Sequence, residues 1–175
     1  MKYLSYLCFC LLLIPSMACN KKLKNQIKPE VMEVSDELLF DQSQVPYVVV
    51  AIKRTTCFGE CPAYEAKFYS DGSVSYVGKA FVQKRGNHKA SASLNQINSI
   101  VKKAYDIKYF LMEDQYPDPT VQIMDAPSTI TSIVCRGQNK TISTKLGEPD
   151  KLKDLQNAID DLLNSLTFVS VDPVK

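Results

Sequence analysis

From Tyr47 onward, apolar and polar positions fall into regular periods. Y-V-V-V-A-I-K-R, Tyr47 to Arg54, is β-branched and apolar, which predicts a buried strand. Beyond T-T-C-F-G-E-C-P the period becomes two: Tyr64, Ala66 and Phe68 share one face, and Glu65, Lys67 and Tyr69 the other. Asp71-Gly72 predicts a two-residue hairpin turn, because both residues tolerate positive φ. Val74 and Tyr76 continue the alternation past Gly78 towards Val82. Arg85-Gly86-Asn87 reads as a further turn, with a fourth strand around His88 to Ala92.

Ser93 and Gln96 form a capping-box pattern ahead of a helix whose apolar positions are Leu94, Ile97, Val101 and Ala104. Asp114 to Pro127, with three prolines, reads as a connecting loop. Ile130 to Cys135 and Lys140 to Leu146 read as two strands joined through Arg136-Gly137-Gln138-Asn139. Pro149 suits the first turn of a last helix, striped by Leu152, Leu155, Ile159, Leu162 and Leu166. The economical fold is α+β: an antiparallel sheet of about five to six strands with two helices packed on one face, over residues 46–168. No internal repeat of fixed period is present.

The first residues follow another pattern. Lys2 precedes an apolar run from Leu4 to Ile14, broken only by Ser5 and closed by I-P-S-M-A-C. The run is about half the ~20 residues of a spanning helix. A charged start, a short apolar middle and a small residue before the cleavage point describe a secretory signal over 1–18. A cysteine directly after Ala18 gives it the form of a bacterial lipoprotein signal, with Cys19 acylated as the mature N-terminus. Ser16 stands where such signals usually carry Leu, Val or Ile, so an ordinary secretory signal is the alternative. Residues 19–45, polar and Lys-rich apart from E-L-L-F near Phe40, read as lipid anchor and flexible tether. The expected location is the bacterial cell envelope, on a membrane through Cys19, at the outer membrane facing the periplasm. That compartment is oxidising.

Charge narrows the partners. With 21 basic and 19 acidic residues in 175, the net of +2 offers no basic stripe for nucleic acid. Catalytic groupings are not legible. The single His88 has no nucleophile signature near it. Asp114, Asp118 and Asp125 share one loop, where a paired-carboxylate hydrolase competes with plain turn geometry. No Gly-rich phosphate cradle occurs, and no cofactor or metal is expected.

Arg54 to Tyr64, R-T-T-C-F-G-E-C-P-A-Y, is the informative stretch. Cys57 and Cys61 flank Gly59, which permits a tight reversal. In an oxidising compartment their default is a disulfide, worth about 2 kcal/mol for so small a loop. A redox-active pair needs an activating helix N-terminus, whereas the residues after Pro62 alternate as a strand. A metal centre would add Cys135 and His88, which stand alone in separate strands. A bridge from Cys135 to either of the first two is the remaining alternative. An exposed rim of Arg54, Phe58 and Glu60 is the candidate binding surface, set against Phe58 simply folding onto its own sheet.

Arg54, Thr55, Cys57, Phe58, Gly59, Cys61, Pro62 and Tyr64, then Asp71, Gly72, Val74, Tyr76 and Gly78, resemble the signature of a bacterial family known as domain of unknown function 6438. Asp125 and Pro127 onward are similar to its later D-x-P loop. The resemblance spans roughly Tyr47 to Leu166. It implies a secreted or lipid-anchored envelope protein and supplies no catalytic residues. The expected function is a non-catalytic binding or structural module with a Cys57–Cys61 disulfide; the alternative is a thiol-redox or metal-binding protein using the same pair.

Overall fold

The structure is a computed structural model and describes residues 37–172. The signal over 1–18, Cys19 and most of the tether lie outside the described residues. The chain runs β1 Val48–Arg54, β2 Ala63–Tyr69, β3 Ser73–Ala80, β4 Gly86–Ser91, α1 Leu94–Asp106, β5 Gln115–Tyr116, β6 Thr129–Cys135, β7 Gln138–Thr144, α2 Asp150–Ser165 and β8 Val169–Ser170. All eight strands join one sheet in the order β5-β7-β6-β1-β2-β3-β4-β8. Every pairing is antiparallel except β5 with β7.

The fold is α+β as the periodicity predicts, but the strand count exceeds five to six. The two additional strands, β5 and β8, are two-residue edge pieces. Such pieces are too short to carry an alternating pattern, so periodicity does not reveal them. Among the described residues no helix is long and apolar enough to cross a membrane.

Alternation decides which face is covered. Ile52, Ala66, Phe68, Val74, Ile133 and Ile142 project to one side and are fully or almost fully buried. On that side lie Ile97, Ile100, Val101 and Ala104 of α1 and Leu152, Leu155, Ile159 and Leu163 of α2, in one continuous core. A bulge at the start of β1 turns both Val49 and Val50 into this core. The opposite face carries Lys53, Glu65, Lys67, Ser75, Lys89 and Ser132, and among the described residues no helix covers it.

Caps form as the residue types dictate. Gln96 N donates to Ser93 Oγ (3.2 Å) and Ser93 N to Gln96 Oε1 (2.8 Å), closing the capping box of α1. Pro149 stands at the N-cap of α2, one residue ahead of the first turn where the sequence places it, and makes no side-chain cap hydrogen bond.

The packed body begins ahead of residue 46. Phe40 is buried, Leu38 and Leu39 rest against the core, and Leu39 N donates to Asn98 Oδ1 at 2.8 Å. At the other end β8 reaches Ser170.

Turn geometry departs from expectation in three places. The β2–β3 connection has three residues, Ser70-Asp71-Gly72, and only Gly72 has positive φ, +86°. Ser70 is drawn inward by two hydrogen bonds with Tyr47, and Asp71 Oδ1 accepts from Ser73 N, so Asp71 has no need of the left-handed region. The two-residue turn with both φ positive lies instead at Arg136-Gly137, between β6 and β7. The β3–β4 reversal occurs over Phe81–Arg85, with Gly86 and Asn87 already paired in β4.

Candidate functional site

One cross-strand row positions the site. Arg54 pairs with Tyr64 on β2 and with Thr129 on β6, so the three side chains leave the sheet side by side, towards α2. This is the covered face, and a charge there needs partners. Nη1 of Arg54 donates to Thr129 Oγ1 at 2.9 Å, and Nε to the Tyr64 hydroxyl at 3.2 Å. Nη2 is ion-paired with Asp160 Oδ2 at 2.5 Å. The Tyr64 hydroxyl donates to the other oxygen of Asp160.

Asp160 reaches the row because α2 carries a polar seam beside its leucine stripe. Four residues earlier, buried Gln156 donates to Thr131 Oγ1 and Thr144 Oγ1 at 3.3 and 3.4 Å, and one turn along the same face comes Asp160.

Arg54, Tyr64 and Asp160 floor an open cavity of about 670 Å³. Tyr76 stacks on Tyr64 at a centroid separation of 5.4 Å, and Phe168 tilts against Tyr76 at 5.3 Å. The β3–β4 loop forms the far wall through Phe81, Val82, Gln83 and Lys84. That wall stands where it does because Gly78 has no side chain. A Cβ at Gly78 would lie 2.9 Å from both the Lys84 carbonyl carbon and Val82 Cγ2, and closer still to the Lys84 oxygen. Phe81 enters the loop with φ +52° and remains half exposed.

The electrostatics suit holding rather than proton transfer. Tyr64 has its pKa raised well above 10.0, by burial first and then by its bond to Asp160 and that carboxylate's charge. Burial acts to lower the pKa of Arg54, but the charge and hydrogen bond of Asp160 outweigh it, so the guanidinium stays charged. Arg54 and Asp160 side chains are 25% and 26% exposed, within reach of a ligand.

Of the expected rim, Arg54 lines the cavity while Phe58 and Glu60 do not. Phe58 is 88% exposed at the tip of the cysteine turn, neither folded onto the sheet nor facing the cavity. Cys57 and Cys61 form a disulfide across 5.7 Å between their Cα atoms, and Pro62 leads from it to the cavity edge. Gly59 stays out of the left-handed region, so the turn does not depend on its freedom. After Pro62 the chain enters β2, so no helix starts at the cysteine turn.

The other candidate groups stand apart. Cys135 is a buried free thiol at the end of β6, with its pKa raised by burial. His88 sits on β4, with three strands between β6 and its own. Asp114 pairs with Lys140, and Asp118 accepts from Thr120 N and Oγ1. Asp125 adopts φ +65°. No three His, Cys, Asp or Glu side chains converge as a metal site among the described residues.

Asp160, Tyr64 and the aromatic wall are site residues that sequence reading passed over. A signal was present: Arg54 shares its face with Val50 and Ile52, and an inward charge implies a partner.

The family model described as Domain of unknown function (DUF6438) matches residues 48–163, which include Arg54, Tyr64 and Asp160. No curated protein matches the chain. The match takes in well over half of the sequence, and the protein belongs to the DUF6438 family.

Proposed function

We propose that the protein is a bacterial cell-envelope lipoprotein, anchored to the outer membrane through acyl chains on Cys19, whose domain binds a small ligand in the cavity over Arg54. One observation carries the binding reading. Arg54, Tyr64 and Asp160 are fixed on one another at the floor of an accessible concave site, with Thr129 also bonded to Arg54, before any ligand arrives. Ordering of this kind lowers the cost of association. It does not favour proton abstraction, because the Tyr64 hydroxyl is engaged on both sides and resists ionisation. The leader pattern ending at Cys19 supports the anchor, and the Cys57–Cys61 disulfide fits an oxidising compartment.

A thermal-shift screen of full-length, detergent-solubilised protein against a chemically diverse small-molecule library tests the binding reading. At least one compound should raise Tm in the wild type, and Phe81→Ala and Arg54→Met should each reduce that shift. Phe81 is half exposed, so its variant keeps the test valid should Arg54→Met fold poorly. A library without a single stabilising compound, or one whose shifts ignore both variants, contradicts it. Metabolic labelling with an alkyne fatty acid tests the anchor: label should enter the wild type and vanish in Cys19→Ala, and an unlabelled wild type overturns that half.

A further inference from the structure

We propose that the ligand is a saccharide carrying a carboxylate; this rests on the cavity being the ligand site. The floor offers donors and acceptors in adjacent pairs. Arg54 has five N–H groups, and three are engaged by Tyr64, Thr129 and Asp160. Each Asp160 oxygen accepts one bond and keeps capacity for another. A guanidinium and a carboxylate joined through one N–H···O bond therefore keep spare N–H groups beside spare lone pairs. Vicinal hydroxyls match that arrangement, since each hydroxyl both donates and accepts. Gln83 and Asn164 add amides of the same dual character at the wall.

The apolar part of the cavity fits a pyranose ring. Tyr76 and Phe168, inclined to one another at 55°, and half-exposed Phe81 supply aromatic carbon for C–H contacts. The remaining charge selects an acid. Lys84 holds its ammonium 5.5 Å from the Phe168 centroid and makes no ion pair among the described residues. With Arg54 neutralised by Asp160, the lining keeps one positive charge unmatched. A carboxylate on the ring would answer Lys84 while the ring hydroxyls occupy Arg54 and Asp160. An aromatic carboxylate would meet Lys84 but make no use of the spare donors and acceptors on the floor, which ring hydroxyls engage.

Saturation-transfer NMR on full-length protein tests the class, with methyl glucuronide and methyl galacturonide against methyl glucoside, methyl galactoside and phenylacetate. One or both uronides should bind at least about tenfold more tightly than the neutral glycosides and phenylacetate, as a charge-assisted hydrogen bond requires. Lys84→Met should bring uronide affinity down to the neutral level, with Tm unchanged. Equal binding of neutral glycosides, preference for phenylacetate, or no bound saccharide overturns the proposal. If the library screen still finds a ligand sensitive to Phe81→Ala, only the ligand class is wrong. If that screen is also empty, the reading of the cavity falls with it.

Discussion

Substituting Gly78 by Ala asks whether the cavity wall depends on an absent side chain. The new methyl would lie 2.9 Å from the Lys84 carbonyl carbon and from Val82 Cγ2, and closer still to the Lys84 oxygen. Ordinary contact begins near 3.4 Å. Val82 is a side chain and can rotate, but the Lys84 carbonyl is backbone and cannot yield without the whole Phe81–Arg85 loop. Overpacking of this type costs about 1–3 kcal/mol. For a domain of roughly 140 residues, unfolding entropy near 2.1 cal/mol/K per residue converts each kcal/mol into roughly 3.5 °C, so Tm should fall by about 4–10 °C. Phe81, Val82 and Lys84 should leave the wall together, visible as changed amide shifts confined to that loop and Gly78. Gly59→Ala is the matched control, because its Cβ would meet only Cys57 Sγ at 3.7 Å. Surface substitutions of that kind stay within about 0.5 kcal/mol, or roughly 2 °C. A Gly78→Ala protein with wild-type Tm and unshifted loop amides would refute this view of the wall.

Reducing the Cys57–Cys61 bridge should lower stability by about 2 kcal/mol, the loop-entropy value for so short a ring, and Tm by roughly 7 °C; calorimetry with and without reductant reads it, and an unchanged Tm contradicts it. Asp160→Ala leaves Arg54 and Tyr64 without their carboxylate. The partial exposure of the pair reduces the expected loss to about 1–2 kcal/mol, and denaturant unfolding with no loss would show the network to be unimportant. Tyr64 and Tyr109 both have pKa values raised chiefly by burial, so above pH 10.0 the unfolded chain ionises first. Their contribution is complete below that pH and is lost as pH climbs towards the folded values. Tm should therefore decline from about pH 10 with these two hydroxyls still protonated, and tyrosinate absorbance appearing for every tyrosine ahead of unfolding would refute it. Cys135, buried and with its thiol pKa raised, should resist alkylation in the native protein and react on denaturation. Rapid native labelling contradicts that.

Sequence periodicity reaches as far as side-chain alternation does. Tyr64, Ala66 and Phe68 alternate over a full strand, so their common face is legible, as is the cap at Ser93 with its reciprocal bond to Gln96. β5 and β8 are not, because two residues hold no period and their pairing partners lie far along the chain. Asp-Gly and Arg-Gly read alike as turns, but loop length is set by what surrounds them. Tyr47 pulls Ser70 into the first connection, whereas Arg136 and Gly137 both take positive φ and close their turn in two residues. For the site, Arg54 was visible as a residue of interest, though for the wrong neighbours. It meets Asp160, 106 positions later, rather than Phe58 and Glu60. That meeting follows from where α2 crosses the sheet, a consequence of packing that no local window contains.

Backbone amide mapping of the bound protein is the most direct test of where ligand is held. On titration with a compound that raises Tm, shifts should concentrate at Tyr76, Phe81 to Lys84, Asp160 and Phe168. Shifts centred on Phe58 and Glu60, or on the uncovered sheet face at Lys53, Lys67 and Lys89, would contradict a ligand site over Arg54.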